Sequence, residues 1–477
     1  MGLVEPVPAI PLDRLGRVHF VGIGGAGMSG IARIMLARGV WVSGSDRSPS
    51  AQLDELAGLG ATIYVGHAAE HVAGVDTVVT TPSAIGDRNL EIIAARQLGI
   101  PVIPRAAALA SIMTGKRGIA VAGTHGKTTT TSMLTTVLRH AGADPSYVIG
   151  GILAETGLGA DEGTGDWFVA EADESDGSFL MLSPAAAIVT CIEAEHLDNY
   201  KDLAEIEATF AAFIGNLPAG GLLVAGQDDP RAAALAVAAA AAVPPKRVRT
   251  YGESPEADYR VTGVTGLGMA TRLTVAPGER AAAPEPVTLT IGVPGRHNAL
   301  NATAAFAAAV ELGLTPGVAA SGLAAYRGVA RRMEPKGEAD GVRVLDCYAH
   351  HPTEIAADLN AAREVADGGQ VIAVFQPHLY SRTRFFAAEF GAALGLADEA
   401  LVLDVYAARE DPEPGVTGMM IVAAVPGGRA RFVPDAAAVP DVIVGLAKPG
   451  DLVLTMGAGD VTLLGPKIVA ALRERAG

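Results

Sequence analysis

Residues 117–131 read RGIAVAGTHGKTTTT, an apolar run that breaks into a glycine turn and then a lysine and four threonines. IAVAG is a short uncharged run of the kind found in strands covered on both faces. Gly123 and Gly126 then bracket a tight turn, and a helical pattern follows from about 126 to 141. Strand, glycine turn, lysine, hydroxyl and helix, in that order, form a cradle for a triphosphate. Backbone N–H groups and the positive end of the helix face the anion. Lys127 reaches the β and γ phosphates, and the Thr128 hydroxyl serves Mg²⁺. Gly123, Thr124, His125, Gly126 and Thr129 supply the surrounding wall. The G-x-x-x-x-G-K-[ST] pattern fails at one position, because residue 121 is Val. The competing reading is an ordinary helix start capped by threonines.

Outward from this turn the chain alternates strand and helix in three blocks. The first holds strand candidates 17–23, 41–46, 61–66, 76–81 and 101–105, with helical stretches at 27–38, 50–59 and 88–98. The second adds 166–171, 186–192 and 220–226, an alternating stretch 257–292 that reads as an antiparallel excursion, and a helix from near Asn298 through 311. The third holds 342–348, 371–376, 399–406, 429–434 and 451–459. Such alternation predicts an α/β fold of parallel sheets covered by helices. Polar or glycine-containing breaks near 113–117 and 326–333 divide the chain into 1–114, 115–327 and 328–477.

Composition narrows the partners. The 477 residues carry 36 basic and 52 acidic side chains, a net charge of −16, with no basic block. That argues against nucleic acid, which needs a basic surface. A small anionic substrate needs only a few donors in one cleft. No apolar stretch is long enough to span a bilayer, no signal peptide is visible, and Cys191 and Cys347 read as reduced thiols. The expectation is a cytoplasmic protein, monomer or homodimer, that binds neither membrane nor nucleic acid.

Four further segments carry chemistry. GIGGAGMSG (22–30) fits G-x-G-x-x-G through Gly22, Gly24 and Gly27, after a strand and before a helix, and Asp46 ends the next strand. A pyrophosphate sits on such a turn and a ribose hydroxyl meets the acid; Gly24, Gly25, Ala26, Gly27 and Asp46 are the residues concerned. EADESDGSF (171–179) and IEAEHLDNY (192–200) place carboxylates and an imidazole at strand ends, where ligands bind in open α/β sheets. Glu171 and His196 are candidate ligands for a second cation. DCYAHHPTEI (346–355) and QPHLYSRTR (376–384) cluster Tyr348, His350, His378 and Arg382. An arginine there clamps a carboxylate or phosphoryl oxygen, and a histidine assists deprotonation of an amine. His350 and His351 read equally well as helix caps. In GRHNALN (295–301), Asn298 either reads an adenine edge or starts a helix.

As a set, these motifs resemble the Mur ligase family over essentially 17–462. AGTHGKTTT, EADESDGSF, IEAEHLDNY, GRHNALN and HHPTEI are family-wide; VHFVGIGGAGMSGIA and QPHLYSRT are similar to the branch that adds L-alanine. The resemblance implies an N-terminal Rossmann-like domain for the UDP-sugar, a central P-loop ATPase-type domain and a C-terminal Rossmann-like domain for the amino acid. It implies that ATP phosphorylates the lactyl carboxylate of UDP-N-acetylmuramate and that the L-alanine amine attacks the acyl phosphate, giving an amide, ADP and phosphate. Carried onto this chain, Lys127 holds the β and γ phosphates, Thr128 binds the first Mg²⁺ (or Mn²⁺), and Glu171 and His196 bind a second. Asn298 meets the adenine, Arg331 or Arg332 lies near the nucleotide, and His378, Arg382, Tyr348 and His350 face the substrates. Three positions depart from the family: Cys347 stands where an Asp is expected, beside Asp346; Leu379 replaces an arginine; Glu195 replaces an Asp. The rival readings are a related ligase using a murein tripeptide or glycine, an NAD-dependent oxidoreductase resting on Gly22–Gly27 and Asp46, and a non-catalytic nucleotide binder.

Overall fold

The computed structural model describes residues 3–81, 89–196, 199–408 and 410–476. Arg88, at the start of the expected 88–98 helix, and Leu197 and Asp198, within the histidine segment, lie outside the described residues. The chain packs as two compact units, one of Met1–Thr262, Thr274–Val287 and Leu300–Tyr326, the other of Gly263–Leu273, Thr288–Ala299 and Arg327–Gly477.

The first unit contains a five-stranded parallel sheet in the order Thr62–Val65, Val42–Asp46, Val18–Val21, Thr77–Thr80, Val102–Pro104. Its central strand, VHFV, is buried throughout, as helices on both faces require. The chain order reverses between Val18–Val21 and Thr77–Thr80, and such a switch point opens a crevice at the C-terminal ends of the strands.

In the same unit, parallel strands Arg247–Gly252, Leu222–Gly226, Ala186–Val189, Arg117–Ala122, Trp167–Glu171 and Ser146–Val148 lie side by side, with Ala160–Asp161 antiparallel at the end. Register explains the position of the functional segments. Val121 pairs with Glu171, and Ala122 with Val189, so the chain leaves all three strands beside the Gly123 turn. Val121 is fully buried in the sheet. The side chain that breaks the glycine pattern is therefore a core residue, and the loop proper begins at Gly123. Below this sheet Phe179 stacks on Phe213 (centroids 4.6 Å apart) and meets Phe210 edge-on, both on the helix Leu203–Gly215. The 257–292 stretch forms three strands, Tyr259–Leu267, Ala270–Pro277 and Val287–Ile291. Two residues join the first pair, a link that only antiparallel neighbours accept.

The second unit holds a six-stranded sheet in the order Glu334–Ala339, Val342–Cys347, Leu452–Met456, Val371–Phe375, Glu399–Val402, Ala430–Phe432, antiparallel only at its first pair. The strands of this sheet run shorter than expected: 342–348 and 371–376 each lose their last residue, 429–434 narrows to Ala430–Phe432, and two others are cut further. The 451–459 run stops at Met456, where Gly457 turns to φ +143°, and the 399–406 run stops at Val402. Among the described residues no helix is long and apolar enough to cross a membrane. Cys191 and Cys347 are both free thiols.

Candidate active site

The helix Lys127–His140 begins at Gly126, which adopts φ +81° and offers no side-chain cap. The threonines are turned elsewhere. Thr131 and Thr135 donate back to Lys127 O and Thr131 O, at 2.8 Å each, and the Thr128 hydroxyl donates to Glu171 Oε1 at 3.1 Å. The capped-helix reading is therefore wrong, and the first amides of the helix keep their attraction for an anion. Hydrogen bonds stitch the loop to the neighbouring strand end. Thr124 N donates to Cys191 O, Glu193 N to Thr124 Oγ1 at 2.8 Å, and Thr190 Oγ1 to His125 O at 2.5 Å. A Cβ at Gly123 would lie 2.0 Å from Thr190 Oγ1, and one at Gly126 2.5 Å from Asn301 Oδ1, so neither position takes a side chain. His125 places its Nε2 3.5 Å from Glu193 Oε2, and Thr129 is buried.

Lys127, with its side chain 14% exposed, donates to Gly123 O (2.6 Å), Thr124 O (3.1 Å) and Glu174 Oε1 (2.8 Å). Burial opposes its charge, but Glu174, Asp173 and Glu171 outweigh that and hold the ammonium more firmly protonated than usual. Burial pushes the Glu174 carboxyl up to about 7, against the pull of Lys127. Glu174 was not singled out from the sequence. Its only signal there was a second glutamate three places after Glu171.

Thr128 and Glu171 touch, and Gly150 N donates to the other Glu171 oxygen at 2.7 Å. His196 adopts φ +56° and directs Nε2 to within 3.9 Å of Glu174 Oε1 and 3.8 Å of Glu195 Oε2. Hydroxyl, carboxylates and an imidazole beside the Lys127 ammonium are a donor set suited to Mg²⁺ or Mn²⁺.

In the first sheet, Gly25 starts the helix Ala26–Ala37 without a side-chain cap, leaving the amide end of GIGGAG open. Asp46 accepts Gly24 N through Oδ2 (2.9 Å) and Arg47 N through Oδ1 (2.7 Å). It thus shapes the turn itself, a duty the ribose reading did not include. Two features of this region escaped the sequence. The Arg105 guanidinium lies against Gly27 and also pairs with Asp173 Oδ2 at 3.1 Å. Glu91, fully buried, accepts from His71 Nδ1 at 2.7 Å, His67 Nδ1 at 3.0 Å and Ser45 Oγ at 2.6 Å. Burial would raise its carboxyl, but His19, Ser45 and His71 hold it down at about 2.

In the second unit Tyr348, His350 and His378 form one aromatic group. His350 lies edge-on to Tyr348 (5.2 Å) and to His378 (6.3 Å), and His378 stacks on Tyr406. Arg382 lies partly exposed in the first turn of the helix Tyr380–Leu394. His351, not His350, caps the helix Pro352–Ala366 by accepting Thr353 N. Arg331 is largely committed to the fold: it donates to Asp346 (3.3 Å), Gly457 O (2.5 Å) and Gly459 O, and lies over the Tyr348 ring. Asp346 is fully buried between that arginine and the hydroxyls of Thr455 and Thr462 (2.7 Å each), which leaves it no exposed oxygen to stand in for the missing Asp at 347. Cys347 is itself buried against Met333 Sδ at 3.3 Å, and burial raises its thiol. Asn298 Nδ2 donates to Pro294 O at 2.7 Å and secures the turn before its helix. Leu379, in the arginine's place, is buried with φ +72°, while Arg384 pairs with Glu413 at the surface.

A phosphate loop on one parallel sheet, a second glycine turn on another and a third α/β sheet together define a class of three-domain ligase. The Mur ligase models match residues 17–117 (Mur ligase family, catalytic domain), 121–309 (middle domain) and 331–459 (glutamate ligase domain), and the chain belongs to the Mur ligase family. It is 57% identical to the UDP-N-acetylmuramate–L-alanine ligase of Thermobifida fusca (strain YX), across 99% of this chain and 100% of that protein. The crystal structure of the UDP-N-acetylmuramate–alanine ligase of Thermotoga maritima superposes with a TM-score of 0.80 at 31% identity, covering 96% of this chain and 99% of that one. A Thermotoga maritima MurF ligase solved with ADP shares the fold at 16% identity and a TM-score of 0.63, over 92% and 96% of the two chains.

Proposed function

We propose that this protein joins L-alanine to the lactyl carboxylate of UDP-N-acetylmuramate at the expense of ATP, in peptidoglycan precursor synthesis. The observation that carries the reading is the Lys127 loop, an uncapped helix start with Glu171, Glu174 and His196 at the adjoining strand ends. The full-length identity to the L-alanine ligases supports the choice of substrates.

A carboxylate attacking a polyphosphate brings two anions together, so the site must supply positive charge between them. Lys127 and the helix amides hold the β and γ phosphates. Thr128, Glu171 and His196 would hold divalent cations, which would supply screening of the phosphoryl oxygens and polarisation of the acceptor. The γ-phosphoryl group moves to the lactyl carboxylate, ADP departs, and the alanine amine attacks the acyl carbon. Phosphate leaves as the C–N bond forms, and the amine loses a proton. We assign the UDP-sugar to residues 1–114, through Gly24–Gly27 with Arg105 beside them. ATP goes to 115–327 and the amino acid to 328–477, where His378, Arg382, Tyr348 and His350 face it. The setting we assign is the cytoplasm.

The test is phosphate release from ATP with UDP-N-acetylmuramate, with and without L-alanine. Release that requires both partners and yields the amide is expected. Glycine or a murein tripeptide replacing L-alanine at equal or higher kcat/KM would overturn the substrate assignment.

A further inference from the structure

An ammonium has three N–H donors, and all three of Lys127 are directed within the protein, to Gly123 O, Thr124 O and Glu174 Oε1. The lysine is folded back on its own loop. The third acceptor is a carboxylate on a residue only 2% exposed, and among the described residues its second oxygen, Oε2, has no hydrogen-bond partner. The backbone of Glu174 is fixed as well, because its carbonyl accepts from Gly177 N (3.0 Å) and the Tyr200 hydroxyl. A phosphate oxygen approaching Lys127 therefore meets a held anion at 2.8 Å from the same nitrogen. Like charges repel strongly in a site shielded from water.

We infer that Glu174 is a positioning residue that occupies Lys127 in place of a phosphate oxygen, so that nucleotide binds only by exchanging this carboxylate for its own phosphate. The inference rests on the ATP site proposed above. It gives a sign opposite to that of an ordinary binding residue. Removing the Glu174 charge tightens nucleotide binding, because Lys127 no longer has to be released from a competitor. It also costs stability in the absence of nucleotide, because the buried lysine loses its counter-charge.

The experiment is calorimetric titration of the full-length protein with ADP and with ATP, in excess chelator so that no divalent cation contributes. Wild type, Glu174→Gln and Lys127→Ala are compared, each with a thermal melt. The expected result is an affinity for Glu174→Gln higher than wild type by on the order of tenfold, with a lower melting temperature that nucleotide restores. Unchanged or weaker binding by a folded Glu174→Gln would overturn the exchange. If Glu174→Gln fails to fold, Glu174→Asp carries the same test, since a side chain shorter by one methylene withdraws the carboxylate from Lys127. If Lys127→Ala binds nucleotide as well as wild type, the phosphate site itself is misplaced, and that failure is distinct from the first.

Discussion

The turn that carries Lys127 and Thr128 was legible because it is local: strand, glycine turn and helix lie side by side in the sequence. Glu174 was not, because its role depends on a contact with a residue 47 positions away. The same holds for Arg331, whose guanidinium is held by Asp346, Gly457 and Gly459. At this scale, Lys127→Ala should reduce phosphate release by at least about a hundredfold, the order expected when a preorganised charge is removed. The fold should persist, since the carboxyl of Glu174, already pushed up to about 7, takes a proton when its partner is lost. Retained turnover would remove Lys127 from the chemistry. His196→Ala should raise the magnesium concentration needed for half-maximal rate, and a titration curve that does not move would take His196 off the cation. Glu91 offers a pH test. Its carboxyl sits at about 2 against 4.5 when free, so the stabilisation is fully present above pH 4.5 and lost as pH falls toward 2. About 3 kcal/mol is involved on the scale of 1.36 kcal/mol per unit. Glu91→Gln should flatten the acid limb of a stability–pH curve in that window; an unchanged slope would show that the imidazoles do not hold the carboxylate.

The order of strands and helices followed from apolar runs and glycine turns, because parallel strands buried on both faces leave an unmistakable composition. What the pattern missed was length. Strand candidates 399–406 and 451–459 ran on through apolar residues that belong to the loops above the sheet, where pairing has already ceased. Register was also hidden, although it is register that sets Glu171 and Thr190 beside the Gly123 turn. Gly126→Ala should be harmful at this scale. It forces a side chain into φ +81° and toward Asn301, and a cost above about 1 kcal/mol is expected, with nucleotide affinity falling in parallel. A melting curve and a nucleotide titration that both match wild type would contradict the reading of this turn. Phe179→Ala should cost about 3–5 kcal/mol by emptying the aromatic stack on Leu203–Gly215; chemical denaturation measures it, and a loss under 1 kcal/mol would mean the stack is not cohesive.

For the whole molecule, the three sheets answer the three α/β blocks of the sequence, and the family models fall on the same succession. Packing added what alternation does not record: the first two sheets lie in one compact unit, with Arg105 joining the N-terminal glycine turn to the acidic segment after Glu171. Charge follows the same logic. A net charge of −16 does not conflict with the anionic substrates proposed, because the attraction assigned to them is local to loop amides and Lys127. The proposed reaction requires the triphosphate to lie on the turn at 123–128 with the acyl acceptor beside it. A crystal structure with a non-hydrolysable ATP analogue, magnesium and UDP-N-acetylmuramate tests this most directly. The expected result is the β and γ phosphates on the amides of residues 123–128, Lys127 turned from Glu174 to phosphate, and a cation touching Thr128 and Glu171. Nucleotide bound elsewhere, with Lys127 still paired to Glu174, would contradict it.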